Sequence, residues 1–315
     1  MSRAAIGAGR FAPSPSGDLH IGNIRSGLLA YARARQTGRR FLWRIEDLDR
    51  VRAGSAESQL AVFAELGVVP DEPPLVQSTR HEHYAEAIRH LDVAGLVYEC
   101  YCSRRDIQQA PSAPHAPPGA YPGTCRSLGE EERAVQRDRL AAAGRSPALR
   151  LRAENLEVTI DDALLGPVTA VVDDLVLRRG DGVFAYNLTV VVDDAASGVD
   201  EVVRGDDLAS SAPRQAHLAR LLGLPMPGWV HVPLVLSPTG ARLAKRDGAV
   251  TYQQLKGLGW SPEDVFAWVC ESLGFGPAAG ERPWRGVDDM VDGLDLDRMV
   301  REPTVFRPPS APCPR

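Results

Sequence analysis

Residues 10–23 have the sequence Arg10-Phe11-Ala12-Pro13-Ser14-Pro15-Ser16-Gly17-Asp18-Leu19-His20-Ile21-Gly22-Asn23. This pattern predicts the end of a strand, a tight turn and the start of a helix. Apolar residues recur three or four positions apart on one face of this helix: Ile21, Ile24, Leu28 and Tyr31. Asp18 is the predicted N-cap, and Gly38 is placed to end the helix. A helix that begins directly after such a turn presents free backbone N–H groups to an anion. The stretch therefore predicts a nucleotide phosphate site at this helix.

Lys245 and His20 are the candidate phosphate ligands. The chain has 34 arginines and only two lysines, and Lys245 lies in the loop sequence Arg242-Leu243-Ala244-Lys245-Arg246. A lysine that arginine has not replaced indicates a need for a compact charge that can follow a phosphate during a reaction. His20 can donate to a phosphate oxygen at neutral pH, and Gly22 lets a ligand lie close to the backbone. We therefore expect His20, Gly22 and Lys245 to bind a nucleotide.

Composition narrows the possible functions. The net charge of -5 over 315 residues argues against nucleic-acid binding driven by bulk charge, because phosphate neutralisation needs a basic surface. The sequence has no evident signal peptide and no apolar run of about 18 residues that could cross a membrane. The five cysteines do not follow the pattern of a secreted disulfide framework. We therefore expect a cytoplasmic protein with no membrane partner, and a monomer.

Strand-like and helical segments alternate along the chain, which is typical of an α/β fold with a parallel sheet. The strand-like runs cover residues 40–45, 168–177, 183–192 and 230–236. The helical stretches cover residues 57–66, 81–95 and 261–273. Near residue 100 the composition changes to a stretch rich in cysteine and proline, which indicates an insertion. We therefore predict two halves of an α/β domain at 1–98 and 186–246, an insertion at 99–185, and a short helical region at 247–315.

Two groups of polar residues are interpreted as structural. Pairs of adjacent aspartates at 161/162, 173/174 and 193/194 lie in turn-like settings. We interpret them as solvated loop ends rather than acid/base dyads, because aspartate is common at turns. Four histidines are interpreted as satisfied surface or core residues: His81, His83, His90 and His231. Neither group is expected to carry the chemistry.

With these segments placed, the sequence resembles the class I aminoacyl-tRNA synthetases, and within them the glutamyl branch. Residues 10–23 look like that branch's first signature, the "HIGH" region, with Asn23 in place of the final histidine. Residues 242–246 look like its second, the "KMSKS" loop, matched strictly at Lys245. The stretches 41–49, 185–188 and 203–208 look like the glutamate-binding walls of the family. The resemblance covers about residues 9 to 250.

The resemblance implies a fold, an activity and a set of ligands. The fold is a Rossmann-like parallel sheet with an inserted zinc-containing subdomain and a short C-terminal helical region. The activity is ATP-dependent, tRNA-independent conversion of L-glutamate to glutamyl-adenylate, with Mg²⁺ bridging the phosphates held by the catalytic residues His20 and Lys245. The implied glutamate-binding residues are Arg10, Phe11, Ala12, Pro13, Ser14, Glu46, Tyr186 and Arg204. Glu46 would meet the ammonium group, and Arg10, Tyr186 and Arg204 the carboxylates.

The short members of this branch resemble the chain most. They lack an anticodon-binding half, and residues 247–315 leave no room for a complete one after the second signature. The resemblance implies transfer of glutamate to queuosine in the anticodon of tRNA(Asp). Two alternatives stay open: a truncated glutamyl-tRNA synthetase that charges the tRNA 3' end, and a catalytically inactive nucleotide- or RNA-binding module.

Three cysteines, Cys100, Cys102 and Cys125, fall within a short segment of a protein expected in the cytoplasm. Three thiolates and one further ligand complete a tetrahedral structural zinc site, so we expect one zinc ion per chain. General zinc chemistry favours His115 as the fourth ligand. The family resemblance favours Tyr121, whose phenol would ionise beside the cation, and Tyr121 is our prediction.

Overall fold

The computed structural model describes residues 6–109, 121–243, 250–276 and 284–307. In chain order the strands are β1 (Ala8–Phe11), β2 (Arg40–Ile45), β3 (Leu75–Val76), β4 (Val97–Cys100), β5 (Ala148–Leu151), β6 (Leu156–Asp162), β7 (Gly166–Val172), β8 (Val176–Arg178), β9 (Glu201–Gly205), β10 (Gly228–Val232), β11 (Val235–Leu236) and β12 (Thr304–Val305). The α-helices are α1 (Ile21–Gln36), α2 (Ser55–Glu65), α3 (His81–Val93), α4 (Arg104–Gln109), α5 (Glu130–Ala142), α6 (Tyr186–Ala196), α7 (Ala212–Leu221), α8 (Tyr252–Gly257), α9 (Pro262–Ser272) and α10 (Val287–Gly293).

The main sheet is parallel and reverses its strand order once. β1 pairs with β2, and β2 with β3, all in parallel. On its other side β1 meets the segment that leads into β9: the Ala8 N–H donates to the Gly198 carbonyl at 3.1 Å and the Asp200 N–H to the Ala8 carbonyl at 3.0 Å. β9 pairs in parallel with β10. The order β3-β2-β1-β9-β10 therefore places a switch point between β1 and β9, where open α/β sheets form a binding crevice.

Two smaller assemblies lie beside this sheet. β6 and β7 form an antiparallel hairpin that joins the edge of the main sheet through Trp229 of β10 and Asp162 of β6. β4, β5 and β8 form a separate antiparallel sheet that carries the cysteine segment. The segment predicted as an insertion thus contributes strands to both sheets, and the domain boundaries given above stay a prediction.

Helix α1 lies at the centre of the largest apolar core. Ile24, Leu28 and Leu29 are fully buried there. The helix begins after the turn that follows β1. It ends at Thr37, and Gly38 has the left-handed conformation at φ 69°. Only glycine adopts that conformation without a steric penalty, so the predicted role of Gly38 is confirmed. The helix α9, at Pro262–Ser272, likewise confirms the helix expected at 261–273.

Two predicted strands need correction. Residues 183–192 were expected to be a strand, but most of them belong to helix α6, in which Leu188 through Asp194 are all buried. A helix buried on every side has no amphipathic period, and its valines then imitate a strand. Residues 168–177 are divided between β7 and β8.

Within the described part of the chain, no helix is long and apolar enough to cross a membrane.

Candidate active site

A cavity of about 300 Å³ opens at the carboxyl ends of β1, β2 and β9, at the switch point of the sheet. It is lined by every residue predicted to bind glutamate: Arg10, Phe11, Ala12, Pro13, Ser14, Glu46, Tyr186 and Arg204. His20 and Gly22, two of the three predicted nucleotide ligands, also line it. The third, Lys245, lies outside the described residues. The structure therefore brings together residues that are up to almost 200 positions apart in the chain.

The turn before α1 is fixed by a side chain from α2. Gln59 is buried, and its amide donates to the Ser14 carbonyl at 3.2 Å and to the Gly17 carbonyl at 2.7 Å. The Ser14 carbonyl also accepts from the Ser16 N–H at 2.8 Å, so the turn is held both internally and by Gln59. They hold the Pro/Ser/Gly segment against the helix that follows it.

His20, not Asp18, caps helix α1. The His20 Nδ1 accepts from the Asn23 backbone N–H at 3.2 Å, whereas an Asp18 carboxylate oxygen accepts from the Ser58 hydroxyl at 3.5 Å. A ring nitrogen that accepts a hydrogen bond carries no proton, so the neutral ring has its hydrogen on Nε2. The cap thus sets the tautomer of the predicted catalytic histidine.

Gly22 leaves open the space beside this ring. A Cβ atom at position 22 would lie 3.1 Å from two ring atoms of His20 and 3.4 Å from the Val235 Cβ. The contacts with the ring are tighter than ordinary van der Waals distances, so a side chain here would crowd the histidine. The glycine therefore keeps the first turn of α1 accessible from the cavity.

A buried ion cluster contributes Arg10 and Glu46 to one wall of the cavity. The Arg10 Nε donates to Asp194 Oδ1 at 3.2 Å, and Arg44 donates to the same oxygen. The other terminal nitrogen of Arg44 donates to Glu46 Oε1 at 3.1 Å. Burial alone would raise the pKa of Asp194, but Arg10 and Arg44 outweigh it and hold that pKa below its ordinary value. One carboxylate thereby orders both Arg10 and, through Arg44, Glu46.

Glu46 responds to the same surroundings in the opposite direction. Burial raises the pKa of Glu46, and the ion pair with Arg44 offsets this only in part. A carboxyl group in this state gains from a nearby cation that stabilises its ionised form. Glu46 is thus suited to receive an ammonium group from a ligand.

The interpretation of the aspartate pairs as solvated loop ends is wrong for four of the six residues, whereas Asp161 is exposed and Asp173 is half-buried. Asp162, Asp174, Asp193 and Asp194 are all buried. Asp193, next to Asp194 in α6, accepts from Gln77, Arg80 and Tyr84. The available signal was the position of residues 193 and 194 at the end of a long apolar run. Buried carboxylates require partners, and this chain is rich in arginine.

Arg204 lines the cavity from the carboxyl end of β9. Its Nε donates to His231 Nε2 at 3.0 Å, one terminal nitrogen donates to Tyr186 Oη at 3.4 Å, and the other to the Leu208 carbonyl at 3.3 Å. His231 is fully buried and hydrogen-bonded, so its interpretation as a satisfied core histidine is confirmed. It also contacts a predicted binding residue, which the sequence did not reveal.

The cavity lining also includes polar residues that were not predicted as ligands, among them Asn23, Arg25, Asp207 and Arg242. Arg25 is almost fully buried and donates to the Pro233 carbonyl, and burial lowers its pKa to about 10. Arg242 pairs with Asp207 at 3.1 Å. This pair brings the start of the second signature loop to the edge of the cavity.

The cysteine cluster lies away from the cavity, in the small antiparallel sheet. The Sγ atoms of Cys100, Cys102 and Cys125 all lie within 4.8 Å of one another. The Tyr121 Oη is 3.4 Å from Cys100 Sγ and 3.9 Å from Cys102 Sγ, and it accepts from the Cys125 N–H at 2.9 Å. His115 lies outside the described residues.

These distances match a tetrahedral metal site. With Zn–S bonds of about 2.3 Å, the edges between sulfur ligands measure about 3.8 Å, and Cys102 Sγ lies 3.6 Å from Cys125 Sγ. Hydrogen bonds from Cys125 and Tyr121 lower the pKa of Cys100 to about 5. Burial and hydrogen bonds to Cys100 and Cys125 raise the pKa of Tyr121, so its phenol would ionise only beside a cation. The cluster can therefore hold a metal ion.

Comparison with known proteins agrees with this geometry. The family described as "tRNA synthetases class I (E and Q), catalytic domain" matches residues 8–305. A glutamyl-Q tRNA(Asp) synthetase of Nocardia farcinica is 57% identical over 95% of this chain and 93% of its own length. One from Symbiobacterium thermophilum is 44% identical over 94% of each chain.

Among solved structures, a glutamate tRNA ligase from Elizabethkingia meningosepticum in complex with its amino acid superposes with a TM-score of 0.78 at 25% identity. The match covers 96% of this chain and 67% of that one. The two chains therefore share this fold. The chain belongs to the class I tRNA synthetases (E and Q), a family of ligases, and within it to the glutamyl-Q tRNA(Asp) synthetases.

Proposed function

We propose that this protein activates L-glutamate with ATP and transfers the glutamyl group to queuosine in the anticodon of tRNA(Asp). The observation that carries the proposal is the charge arrangement of the cavity. Arg10, Arg204 and Glu46 line it, and Arg44 and Asp194 pair with Glu46 and Arg10 behind that lining. These groups leave one positive charge in excess, which the net negative charge of glutamate would neutralise.

Each polar group of glutamate finds a partner of the right kind. Glu46 would accept from the ammonium group, and its raised pKa would fall when that cation arrives. Arg10, Arg204 and the Tyr186 hydroxyl would donate to the two carboxylates. A glutamine side chain would leave a buried guanidinium without an anion, which is costly.

The activation step needs positioning more than chemistry from the protein. A carboxylate oxygen of glutamate attacks the α-phosphorus of ATP, a new O–P bond forms, and the bond to pyrophosphate breaks. The negatively charged phosphates of ATP would be bound by His20, the first turn of α1 and Lys245. Mg²⁺ would supply further charge neutralisation between the phosphate oxygens.

The transfer step is supported by the relatives. The chain matches proteins named glutamyl-Q tRNA(Asp) synthetases over nearly their full length. A hydroxyl of the queuosine cyclopentene diol would attack the glutamyl carbonyl, forming an ester and releasing AMP. An unstacked anticodon base is the kind of RNA element that proteins read by direct contact.

We further propose that Cys100, Cys102, Cys125 and Tyr121 bind one structural zinc ion. Four protein ligands leave no open position for water, so the ion would hold the segment around residues 99–185 together without taking part in catalysis. The two halves of the catalytic domain would then be residues 1–98 and 186–246, followed by a helical region at 247–315.

ATP–pyrophosphate exchange in the absence of tRNA tests the activation step. We expect exchange that depends on glutamate, and Lys245→Ala should reduce its rate by roughly 10²-fold, as removal of one transition-state donor does. The other lysine supplies a matched control, because Lys256 forms an exposed pair with Glu65 on the surface. Lys256→Ala should leave the rate unchanged. Wild-type protein that exchanges equally well with glutamine would contradict the proposal.

A further inference from the structure

Two arginines of the cavity, Arg10 and Arg204, are held in different ways. Arg10 shares Asp194 with Arg44, so its charge is paired inside the protein. Arg204 instead donates to a histidine, and within the described ranges no carboxylate lies within salt-bridge distance of its guanidinium. A buried arginine normally requires an anion, so the partner of Arg204 needs an explanation.

The hydrogen bond fixes the state of that histidine. A guanidinium only donates, so His231 Nε2 must accept, which makes the ring neutral with its hydrogen on Nδ1. The Nδ1–H then donates to Asp162 Oδ2 at 2.7 Å. A protonated His231 would direct an N–H toward the N–H of Arg204 and break the contact.

Asp162 is built to hold this tautomer. Its Oδ2 also accepts from the His231 backbone N–H at 3.0 Å, and its Oδ1 accepts from the backbone N–H groups of Leu164 and Leu165, both at 2.9 Å. Burial would raise the pKa of Asp162, but the bonds from His231 and the backbone outweigh it and lower that pKa. The carboxylate therefore stays ionised and fixes the ring by two contacts.

We propose that Asp162 and His231 are positioning residues, which hold Arg204 at the cavity wall while leaving its positive charge for a substrate carboxylate. A carboxylate in place of His231 would orient Arg204 equally well but would neutralise it. The neutral imidazole orients Arg204 without neutralising its charge. Asp162, which contacts Arg204 only through His231, holds the imidazole in place. The inference rests on the proposed function, because it takes the ligand to be glutamate.

Three substitutions separate orientation from charge. His231→Gln keeps a neutral acceptor, and we expect the KM for glutamate in pyrophosphate exchange to stay within a few-fold of the wild-type value. His231→Glu adds a carboxylate beside Arg204, and His231→Leu removes the acceptor. Both should raise the KM for glutamate roughly 10- to 100-fold, as loss of a hydrogen bond to a charged group does. The KM for ATP should not change in any of them.

A buried histidine elsewhere provides the control. His217 in α7 is also buried and contacts Arg220 rather than the cavity. His217→Gln should leave both KM values unchanged. Equal loss of glutamate binding in His231→Gln and His231→Leu would overturn the proposal, since packing alone would then explain the effect. Normal glutamate binding by His231→Glu would also overturn it.

The tautomer can be measured in the wild-type protein, with His231→Gln used to assign the signal. Side-chain ¹⁵N NMR of the wild-type protein should show one histidine with a protonated Nδ1 and an unprotonated Nε2 near neutral pH, absent from the spectrum of His231→Gln. An imidazolium or an Nε2–H tautomer at His231 would overturn the proposal. Failure of the wild-type protein to exchange with glutamate would instead count against the proposed function, so the two failures are distinguishable.

Discussion

At the scale of single residues, the most consequential group is the Asp194 carboxylate. It pairs with both Arg10 and Arg44, which are almost fully buried, and so permits a dense set of charges beside the cavity. Removal of one member of a buried ion cluster leaves an uncompensated charge, which costs far more than the pair itself contributes. The cluster therefore contributes to the cavity, and loss of one of its members is expected to destabilise the fold.

We expect Asp194→Asn to lower the free energy of unfolding by about 3–5 kcal/mol, measured by urea denaturation. Asp181→Asn is the control, because Asp181 pairs with Arg179 at the exposed surface, where such pairs contribute about 1 kcal/mol or less. The pKa of Asp194 is lowered in the folded state. Its stabilisation is therefore present above the ordinary carboxyl pKa and lost as the pH falls below it.

The pH dependence provides a second check on the same substitution. Acid destabilisation of the wild-type protein should be shallower in Asp194→Asn, because that substitution removes one of the groups that must take up a proton. An Asp194→Asn protein as stable as Asp181→Asn, with an unchanged acid profile, would show that Asp194 does not hold the arginines.

The sequence was sufficient to predict the groups that face a ligand, but not those that hold them. Arg10, Glu46 and Arg204 were predicted because the resemblance places them by motif. Asp194 and His231 act through contacts between segments that are distant in the chain. No local pattern encodes such contacts, so the sequence predicts solvated loop ends where the fold has buried aspartates.

At the scale of secondary structure, the cavity depends on how α1 packs against α2. Phe63 of α2 stacks on Phe11 at 5.0 Å and meets Trp43 edge-on at 5.1 Å. Gly27 of α1 faces this ring, and a Cβ atom there would overlap Phe63. Phe63 is almost fully buried among these aromatic rings, so it cannot move aside at low cost.

We expect Gly27→Ala to destabilise the protein by about 1–3 kcal/mol despite the better helix propensity of alanine. The matched control is Gly257→Ala at the end of α8, where no atom lies within 4 Å of the new Cβ. The control should be neutral or stabilising by up to about 1 kcal/mol. Thermal unfolding of both variants measures the difference. Equal effects at the two positions would show that the α1–α2 contact is not tight.

Periodicity explains which elements were predictable. Helix α1 has apolar residues at helical spacing and a glycine at its end, and both features were recognised. Helix α6 is surrounded by other elements and contains consecutive valines. In α6, tertiary packing outweighs the β propensity of the valines and stabilises a helix.

At the scale of the whole molecule, the cysteine cluster and the catalytic cavity are separate. The cluster holds the small antiparallel sheet, whereas the cavity lies at the switch point of the main sheet. Metal in the cluster should therefore affect stability more than chemistry.

We expect about one equivalent of zinc per chain by metal analysis of the purified protein. Cys102→Ser should lower the zinc content and the thermal stability, because a structural metal site contributes directly to folding. His115→Ala should change neither quantity if Tyr121 is the fourth ligand. Loss of zinc in His115→Ala, with zinc retained in Tyr121→Phe, would show that His115 completes the site.

The destination of the glutamyl group is the central claim, and one measurement tests it most directly. The acceptor is tRNA(Asp) that carries queuosine and lacks its terminal adenosine, incubated with the protein, ATP and radiolabelled glutamate. The account predicts that this trimmed tRNA accepts glutamate as well as intact tRNA does, and that an unmodified transcript accepts none. Loss of acceptance on trimming would contradict it and identify a synthetase that charges the 3' end.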